Sequence, residues 1–233
     1  MKPKRISIVD STPIRVVLVT MDPHLASAAQ RAGEQLRRSY PGLTLTLHAA
    51  AEWCDNEAAL ARVREDIGRG DIVVATMLFL EDHFRPVLEA LSARREHCDA
   101  MVCAMCAGEV TRLTRMGDFA MGGGSRNPAL ALLQKLRPKP RQGSGGAQQM
   151  KMLRRIPQIL RFIPGTAQDV RAYFTSLQYW LAGSEANLVN MIRLLVDRYA
   201  TGERKGLRGI AKVEPPVEYP DVGLYHPRLK SRG

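Results

Sequence analysis

The stretch Asp71-Ile-Val-Val-Ala-Thr76 decides the fold, because its apolar residues occupy both alternating faces of a strand. Strands of this kind are typical of parallel sheets that are covered by helices on both sides. Ile14-Arg-Val-Val-Leu-Val-Thr20 and Ala100-Met-Val-Cys-Ala-Met105 have a similar character, and Leu43-Thr-Leu-Thr-Leu-His48 alternates with period two. These stretches predict four strands of one mostly parallel sheet.

Helical patterns separate these strands. Apolar residues recur at helical spacing after Asp22, which is predicted to cap the first helix, with Pro23 at its first position. Further helices are predicted over residues 56–67, 81–95 and 109–116. The alternation of strand and helix predicts an α/β fold of the Rossmann or flavodoxin-like type, a mostly parallel sheet with helices on both faces.

The second half of the chain is predicted to be mainly helical. Helices are expected over residues 166–181 and 184–199, forming a hairpin, and Thr166 and Asp169 resemble a capping arrangement at the first of them. The sequence therefore predicts five parts: an N-terminal tail (1–13), the α/β domain (14–118), a flexible basic linker or insertion (119–147), a helical section (148–200) and an irregular connection (201–233).

The composition is that of a globular protein. The chain has 233 residues, of which 45% are hydrophobic, and a formal net charge of +11. No apolar run approaches the ~20 residues that cross a bilayer, and no apolar signal core follows the basic start. We expect a cytoplasmic protein without a transmembrane segment, for which peripheral membrane contact stays open.

Positive charge is concentrated in residues 119–168, which hold nine basic residues and no acidic ones. The expected partner is an acidic protein surface or a membrane surface, and the alternative is a solvated linker. Nucleic acid is not expected, because only Phe119 and Phe162 could stack on bases there. The candidate contact residues are Lys135, Arg137, Lys139, Arg141, Lys151, Arg154 and Arg155.

Polar residues follow the carboxyl ends of the predicted strands, where doubly wound sheets bind ligands. They could ligate a cation or transfer protons, but carboxylates in the first turn of a helix also stabilise the helix dipole, and this simpler interpretation is favoured. No glycine-rich phosphate-binding loop accompanies them. The candidate substrate-binding or interface residues are Asp22, His24, Glu81, Asp82, His83 and Glu109, together with Trp180, whose apolar stripe is more typical of a helix–helix core.

Three cysteines, Cys98, Cys103 and Cys106, have a spacing that resembles part of an iron–sulfur site, but no fourth cysteine follows them. Cys103 lies in the fourth predicted strand, where a free cysteine behaves as a small hydrophobic residue. We expect the three cysteines to be structural and predict no metal site.

A set of strings in the chain is more specific than its composition. The strings are Asp71–His83, Arg85–Leu91, Arg94–Met101, Ala107–Arg115, Ile163–Phe174, Leu177–Ser184 and Tyr219–Pro227. Together they resemble the amino-terminal region of the magnesium chelatase large (H) subunit, and the last is similar to the passage that leads into its main chelatase domain. The resemblance covers nearly the whole chain from about Ile14, in the order of that family, and one departure is the presence of Cys103 and Cys106 where other small residues are expected.

The resemblance implies a protein that binds protoporphyrin IX, on which Mg²⁺ is inserted on the path to chlorophyll or bacteriochlorophyll. ATP hydrolysis is implied for two AAA+ partners, the I and D subunits, and the downstream methyltransferase is a further implied partner. Because the family's large subunits are several times longer, the chain is expected to be an amino-terminal cap or docking fragment of a bacterial metal-inserting ligase. It would bind no cofactor tightly, and no catalytic residue is assignable.

Two other functions stay open at this point. One is a stand-alone module that binds anions or acidic partners through its basic segment. The other is the cobalt chelatase large subunit, although the strings between Asp71 and Arg115 fit the magnesium family better.

Overall fold

The computed structural model describes residues 11–122, 157, 160 and 165–217. Within these residues one sheet has the strand order β2-β1-β3-β4-β5-β6, in which the first four strands are parallel and the last two antiparallel. This arrangement confirms the predicted α/β fold with a mostly parallel sheet. The strands are β1 (Ile14–Thr20), β2 (Leu43–Ala49), β3 (Ile72–Thr76), β4 (Ala100–Ala104), β5 (Arg115–Met116) and β6 (Phe119–Ala120).

Helices connect the parallel strands and follow the sheet. Asn56 caps the helix Glu57–Arg69 by accepting a hydrogen bond from the Ala59 amide (3.1 Å). Ser184 caps the helix Glu185–Tyr199 by accepting one from the Asn187 amide (3.3 Å). A 3₁₀-helix (Gly202–Leu207) comes after the last α-helix. The α-helices are α1 (Ala26–Arg37), α2 (Ala50–Trp53), α3 (Glu57–Arg69), α4 (Glu81–Arg94), α5 (Gly108–Thr111), α6 (Thr166–Ala182) and α7 (Glu185–Tyr199).

Two hydrophobic cores lie on opposite faces of the sheet. Alternation along β1 sends Val16 and Leu18 into one core and Val17 and Val19 into the other. The first core is completed by α1, α6, α7 and Leu207, and the second by α2, α3, α4 and α5. Helices therefore cover both faces, and the predicted hairpin of α6 and α7 packs on the same core as β1, β3 and β4.

One predicted helix start and one predicted helix cap are wrong. The helix α1 begins at Ala26, and the Asp22 carboxylate instead accepts a hydrogen bond from the His24 amide (3.0 Å). The helix α6 begins at Thr166 as predicted, but its N-cap is Gly165 and no side chain caps it. The Asp169 carboxylate instead binds the Asp118 amide and the Tyr199 hydroxyl.

The predicted helix over residues 109–116 is also wrong. The helix α5 ends at Thr111, and the chain then forms the β5–β6 hairpin. The Thr114 hydroxyl fixes this change of direction, because it donates to the Cys103 carbonyl (3.0 Å) and accepts from the Cys103 amide (3.1 Å). Both bonds hold residue 114 beside Cys103 of β4. The chain therefore leaves the helix before this point and pairs with the sheet.

The hairpin turn is attached to the helical section through Asp169. Its carboxylate accepts hydrogen bonds from the Asp118 amide (3.0 Å) and the Tyr199 hydroxyl (2.8 Å). Gly117 precedes this contact with φ +57°, and a Cβ at Gly117 would lie 2.8 Å from Asp169 Oδ2. A glycine is therefore required by both the backbone conformation and the space available.

Replacing Gly117 with alanine is expected to lower the free energy of unfolding by about 2 kcal/mol, because the left-handed conformation and the displaced carboxylate both cost energy. The measurement is chemical denaturation of the full chain. Gly68→Ala is the matched control, since a Cβ there meets nothing within 4 Å and alanine favours the helix α3. Equal stability of the two variants would contradict the prediction.

Candidate functional site

The candidate site is the carboxyl edge of the sheet, where β1, β3 and β4 end at Thr20, Thr76 and Ala104. The strand β1 lies between β2 and β3, so the connections that leave β1 and β2 run in opposite directions along the sheet. Doubly wound sheets bind ligands in the crevice at such a reversal. The structure places the loops after β1, β3 and β4 at this edge.

The predicted polar residues form the rim of this edge as local pairs. The Asp22 carboxylate pairs with the His24 ring, and Glu81 binds Arg85 one helical turn later (2.9 Å). The hydrogen bond from the His24 amide lowers the pKa of Asp22, and that from Arg85 lowers the pKa of Glu81. Carboxylates with these partners remain ionised at neutral pH, so the rim carries negative charge.

The helix-dipole interpretation accounts for part of this rim. Glu81 and Asp82 lie in the first turn of α4 and Glu109 in that of α5, all exposed, whereas Asp22 lies outside any helix. His83 is half-buried, and its Nδ1 has no hydrogen-bond partner among the described residues. Trp180 is not part of the exposed rim, since it is 3% exposed within the first core.

Two exposed apolar residues in the loop after β3 complete the edge. Phe79 is 52% and Leu80 59% exposed. Sequence reasoning passed over them, although they stand next to α4 and outside its apolar face of Phe84, Val87 and Leu91. Adjacent apolar side chains that are exposed to water and rimmed by polar residues form a candidate contact surface.

The loops at this edge are fastened to each other. The Met77 amide donates to the Ala104 carbonyl (3.3 Å), and the Ala107 amide donates to the Leu78 carbonyl (2.8 Å). Met77 and Met105 both have left-handed backbones, with φ 60° and 53°, directly after their strands. Such conformations persist only where the surrounding structure enforces them. Phe79 and Leu80 are therefore presented by a constrained loop.

The three cysteines of the predicted cluster lie along β4 as neutral thiols, with Cys98 before its amino end and Cys106 after its carboxyl end. Cys98 and Cys103 are buried, and Cys106 is half-buried with its Sγ 3.3 Å from the Ala104 carbonyl oxygen. Burial raises the pKa of all three, that of Cys106 to about 11. Among the described residues no group of three His, Cys, Asp or Glu side chains could hold a metal ion.

A buried ionic network occupies the opposite, amino edge of the sheet. Arg204 binds both carboxylate oxygens of Asp99 (2.8 and 3.0 Å) and one oxygen of Asp71 (3.4 Å). Asp71 also accepts a hydrogen bond from the Arg15 amide (2.8 Å), and Thr201 bonds Asp99. Sequence reasoning missed this network. The network joins the 3₁₀-helix to the strands and has a structural role.

The seven basic candidates, Lys135, Arg137, Lys139, Arg141, Lys151, Arg154 and Arg155, lie outside the described residues. In the part of the chain that the structure describes, no helix is long and apolar enough to cross a membrane.

The fold and the edge together define a doubly wound α/β protein whose clearest surface feature is an apolar tip with an acidic rim. A family model described as "Domain of unknown function (DUF3479)" matches residues 15–174, and one described as "CobN/Magnesium Chelatase" matches residues 177–232. The chain therefore belongs to the DUF3479 family, and it continues into a region similar to the chelatases.

Curated relatives identify the proteins that contain this region. The magnesium-chelatase H subunit of Cereibacter sphaeroides is 50% identical over 218 residues, which are 93% of this chain and 18% of that protein. The magnesium-chelatase H subunit of Rhodobacter capsulatus is 45% identical over the same shares. The chloroplastic magnesium-chelatase ChlH subunit of Oryza sativa subsp. indica is 28% identical over 92% of this chain and 15% of its own length.

These matches confirm the resemblance to the amino-terminal region of the magnesium-chelatase H subunit. The chain spans 18% of the length of the two bacterial relatives. Because these relatives are magnesium-chelatase subunits, the cobalt chelatase alternative is not favoured.

Proposed function

We propose that this chain forms a cap and docking domain of a magnesium chelatase H subunit. The whole protein would bind protoporphyrin IX for ATP-dependent insertion of Mg²⁺ in the synthesis of chlorophyll or bacteriochlorophyll. The observation that carries this proposal is the 50% identity to a magnesium-chelatase H subunit over 93% of the chain. The chain itself would supply a surface rather than a catalytic residue, and it would act in the cytoplasm.

The proposed docking surface is the carboxyl edge. An apolar centre with a polar rim is the usual anatomy of a protein interface, and Phe79 and Leu80 would form the centre. The rim would consist of Asp22, His24, Glu81, Asp82, His83 and Glu109. The partners proposed for it are the AAA+ ATPases, the I and D subunits, which would bind and hydrolyse the ATP.

One further contact is proposed outside this edge. The basic residues between Lys135 and Arg155 would contact an acidic surface, either the downstream methyltransferase or a photosynthetic membrane touched peripherally. Steep salt dependence of partner binding, without any effect on porphyrin, would instead favour a stand-alone module that binds acidic partners.

Replacing Phe79 and Leu80 together with serine is expected to weaken binding of the ATPase subunits about tenfold or more, because apolar anchors at the centre of an interface carry most of its energy. The measurement is binding by an H subunit that contains this sequence, with melting temperature as a check on folding. Ile210→Ser is the matched control, since Ile210 is 42% exposed but lies after the 3₁₀-helix. Unchanged binding by the double variant would place docking elsewhere.

Porphyrin contact is tested by titrating protoporphyrin IX into the 233-residue chain while following tryptophan fluorescence. Trp53 and Trp180 lie in different cores, so Trp53→Phe and Trp180→Phe identify the responding face of the sheet. Saturable quenching at micromolar porphyrin would support a contact with substrate. A folded sample that shows no quenching would support a domain that only caps and docks.

A further inference from the structure

The residues after the 3₁₀-helix run back along α7 in a regular set of contacts. We call residues 208–217 the strap; the structure assigns no helix or strand to it. The Gly209 amide donates to Asp197 Oδ1 (2.7 Å), and Arg193 donates to the Lys212 carbonyl (3.3 Å). Asp197 and Arg193 are one helical turn apart, so the strap proceeds toward the start of α7.

Two asparagines continue this set of contacts. Asn190 Oδ1 accepts from the Glu214 amide (2.9 Å). Asn187 bonds Val217 twice, donating from Nδ2 to its carbonyl and accepting at Oδ1 from its amide, both at 2.9 Å. The Tyr179 hydroxyl of α6 donates to the Glu214 carbonyl. The strap thus contacts both helices of the hairpin.

At the start of the strap the Arg208 side chain donates from Nε to the Ala200 carbonyl (2.8 Å), directly after α7. All of the other bonds reach main-chain atoms of the strap. The strap atoms involved are the amides of Gly209, Glu214 and Val217 and the carbonyls of Lys212, Glu214 and Val217. The helices supply only side-chain groups. Recognition of this kind depends on the path of the backbone and on few features of the strap sequence.

The sequence of the strap suits such recognition. Pro215 and Pro216 stand between the bonded residues Glu214 and Val217, and prolines have no amide hydrogen that would need a partner. Consecutive prolines also favour the stiff polyproline conformation, which lowers the entropy lost when a chain is held in place. Val213 adds apolar contact with the first core.

The two asparagines of α7 depend on the strap for their hydrogen bonds in turn. Asn187 is 1% and Asn190 7% exposed, and buried amide groups without partners are costly. Asn190 Nδ2 has a partner within α7, the Ala186 carbonyl (2.9 Å), but Oδ1 of each asparagine is held by a strap amide. The strap and the side chains that bind it all fall within residues 177–232, the range of the CobN/Magnesium Chelatase match.

We propose that α6 and α7 form a groove that binds polypeptide through its main chain, and that the strap of this chain is its occupant. Held there, the strap fixes where residues after Val217 start relative to the sheet. This inference stands whether or not the carboxyl edge docks an ATPase subunit.

The experiment is hydrogen exchange, read by mass spectrometry on the full 233-residue chain. In the Asn187→Leu/Asn190→Leu variant, the amides of Glu214 and Val217 are expected to exchange about tenfold faster, because each loses its only described acceptor while the branched heavy-atom skeleton of the side chain is kept. Exchange in β3 and β4 is expected to stay slow. Unchanged exchange at Glu214 and Val217 would overturn the proposal.

Two further variants keep the test decisive. Among the described residues the Glu214 side chain forms an ion pair only with exposed Lys212 (2.8 Å), so Glu214→Ala is expected to change exchange at Val217 less than twofold. Glu214→Pro removes the amide hydrogen that donates to Asn190 Oδ1. This variant is expected to speed exchange at Val217, and it serves as the test even if the asparagine variant does not fold. An alanine effect as large as the proline effect would mean that strap side chains are recognised, which contradicts the proposal.

Discussion

A chain that ends at Phe174, where the DUF3479 match stops, is expected to show no cooperative unfolding transition. The cut falls inside α6 and removes all of α7, whose apolar side chains fill the first core. Each such side chain contributes about 1.5–3 kcal/mol when buried, and the sum of roughly 10–20 kcal/mol exceeds the stability of most domains. The buried apolar side chains of α7 are Leu188, Val189, Met191, Ile192, Leu195, Val196 and Tyr199.

Thermal unfolding followed by circular dichroism compares this truncated chain with the full chain. Leu195→Ala in the full chain supplies a graded comparison and is expected to cost about 3 kcal/mol, because the residue is fully buried. A truncated chain that unfolds cooperatively, near the melting temperature of the full chain, would show that the sheet forms its core without α7. The boundary between the two family matches would then also be a boundary in folding.

Replacing Arg204 with methionine is expected to lower the free energy of unfolding by about 3–5 kcal/mol at neutral pH. The change leaves Asp99, whose side chain is almost fully buried, without the cation that binds both of its oxygens. Equilibrium denaturation measures the loss. Asp99→Asn/Arg204→Met is the control, and it should be less destabilised than the single variant, because residue 99 is then uncharged and Asp71 keeps Arg94 (3.8 Å) as a partner.

The same network makes stability depend on pH. Burial alone would raise the pKa of Asp99, but hydrogen bonds from Arg204 and Thr201 outweigh it and hold the pKa below its usual value. A carboxylate with a lowered pKa stabilises the fold above its unfolded pKa of about 3.9, and this contribution is lost as pH falls through the folded value. The gap between the wild type and Arg204→Met should therefore narrow below about pH 4. A gap that is constant from pH 7 to about pH 3 would contradict a charge-based role.

The parallel part of the sheet was predictable because its strands carry their own signal. The prediction for Ile14–Thr20 matches β1, and the other three agree with β2, β3 and β4 to within about one residue. The β5–β6 hairpin was missed because two-residue strands are too short for periodicity to show. Its turn, Gly117-Asp118, did offer a local signal, since a glycine followed by aspartate is typical of tight hairpins.

The candidate site was predictable only in its location. Placing Asp22, Glu81 and Glu109 at the carboxyl edge follows from parallel strands alone, whereas the importance of Phe79 and Leu80 depends on their exposure. The network of Asp99 and Arg204 joins residues 105 positions apart, and no local pattern brings them together. One signal was available, because Asp71 and Asp99 each stand just before a buried strand, and β3 and β4 are neighbours.

The position of one tryptophan on each side of the sheet gives the chain two built-in optical probes. Trp53, the last residue of α2, reports on the second core, and Trp180 reports on the first core, which α6 and α7 share with α1. If the layers melt as one unit, single-tryptophan variants will report the same midpoint. If the layer containing Trp180 loosens first, its emission will shift at lower denaturant, and the order in which the two halves come apart becomes visible without any added label.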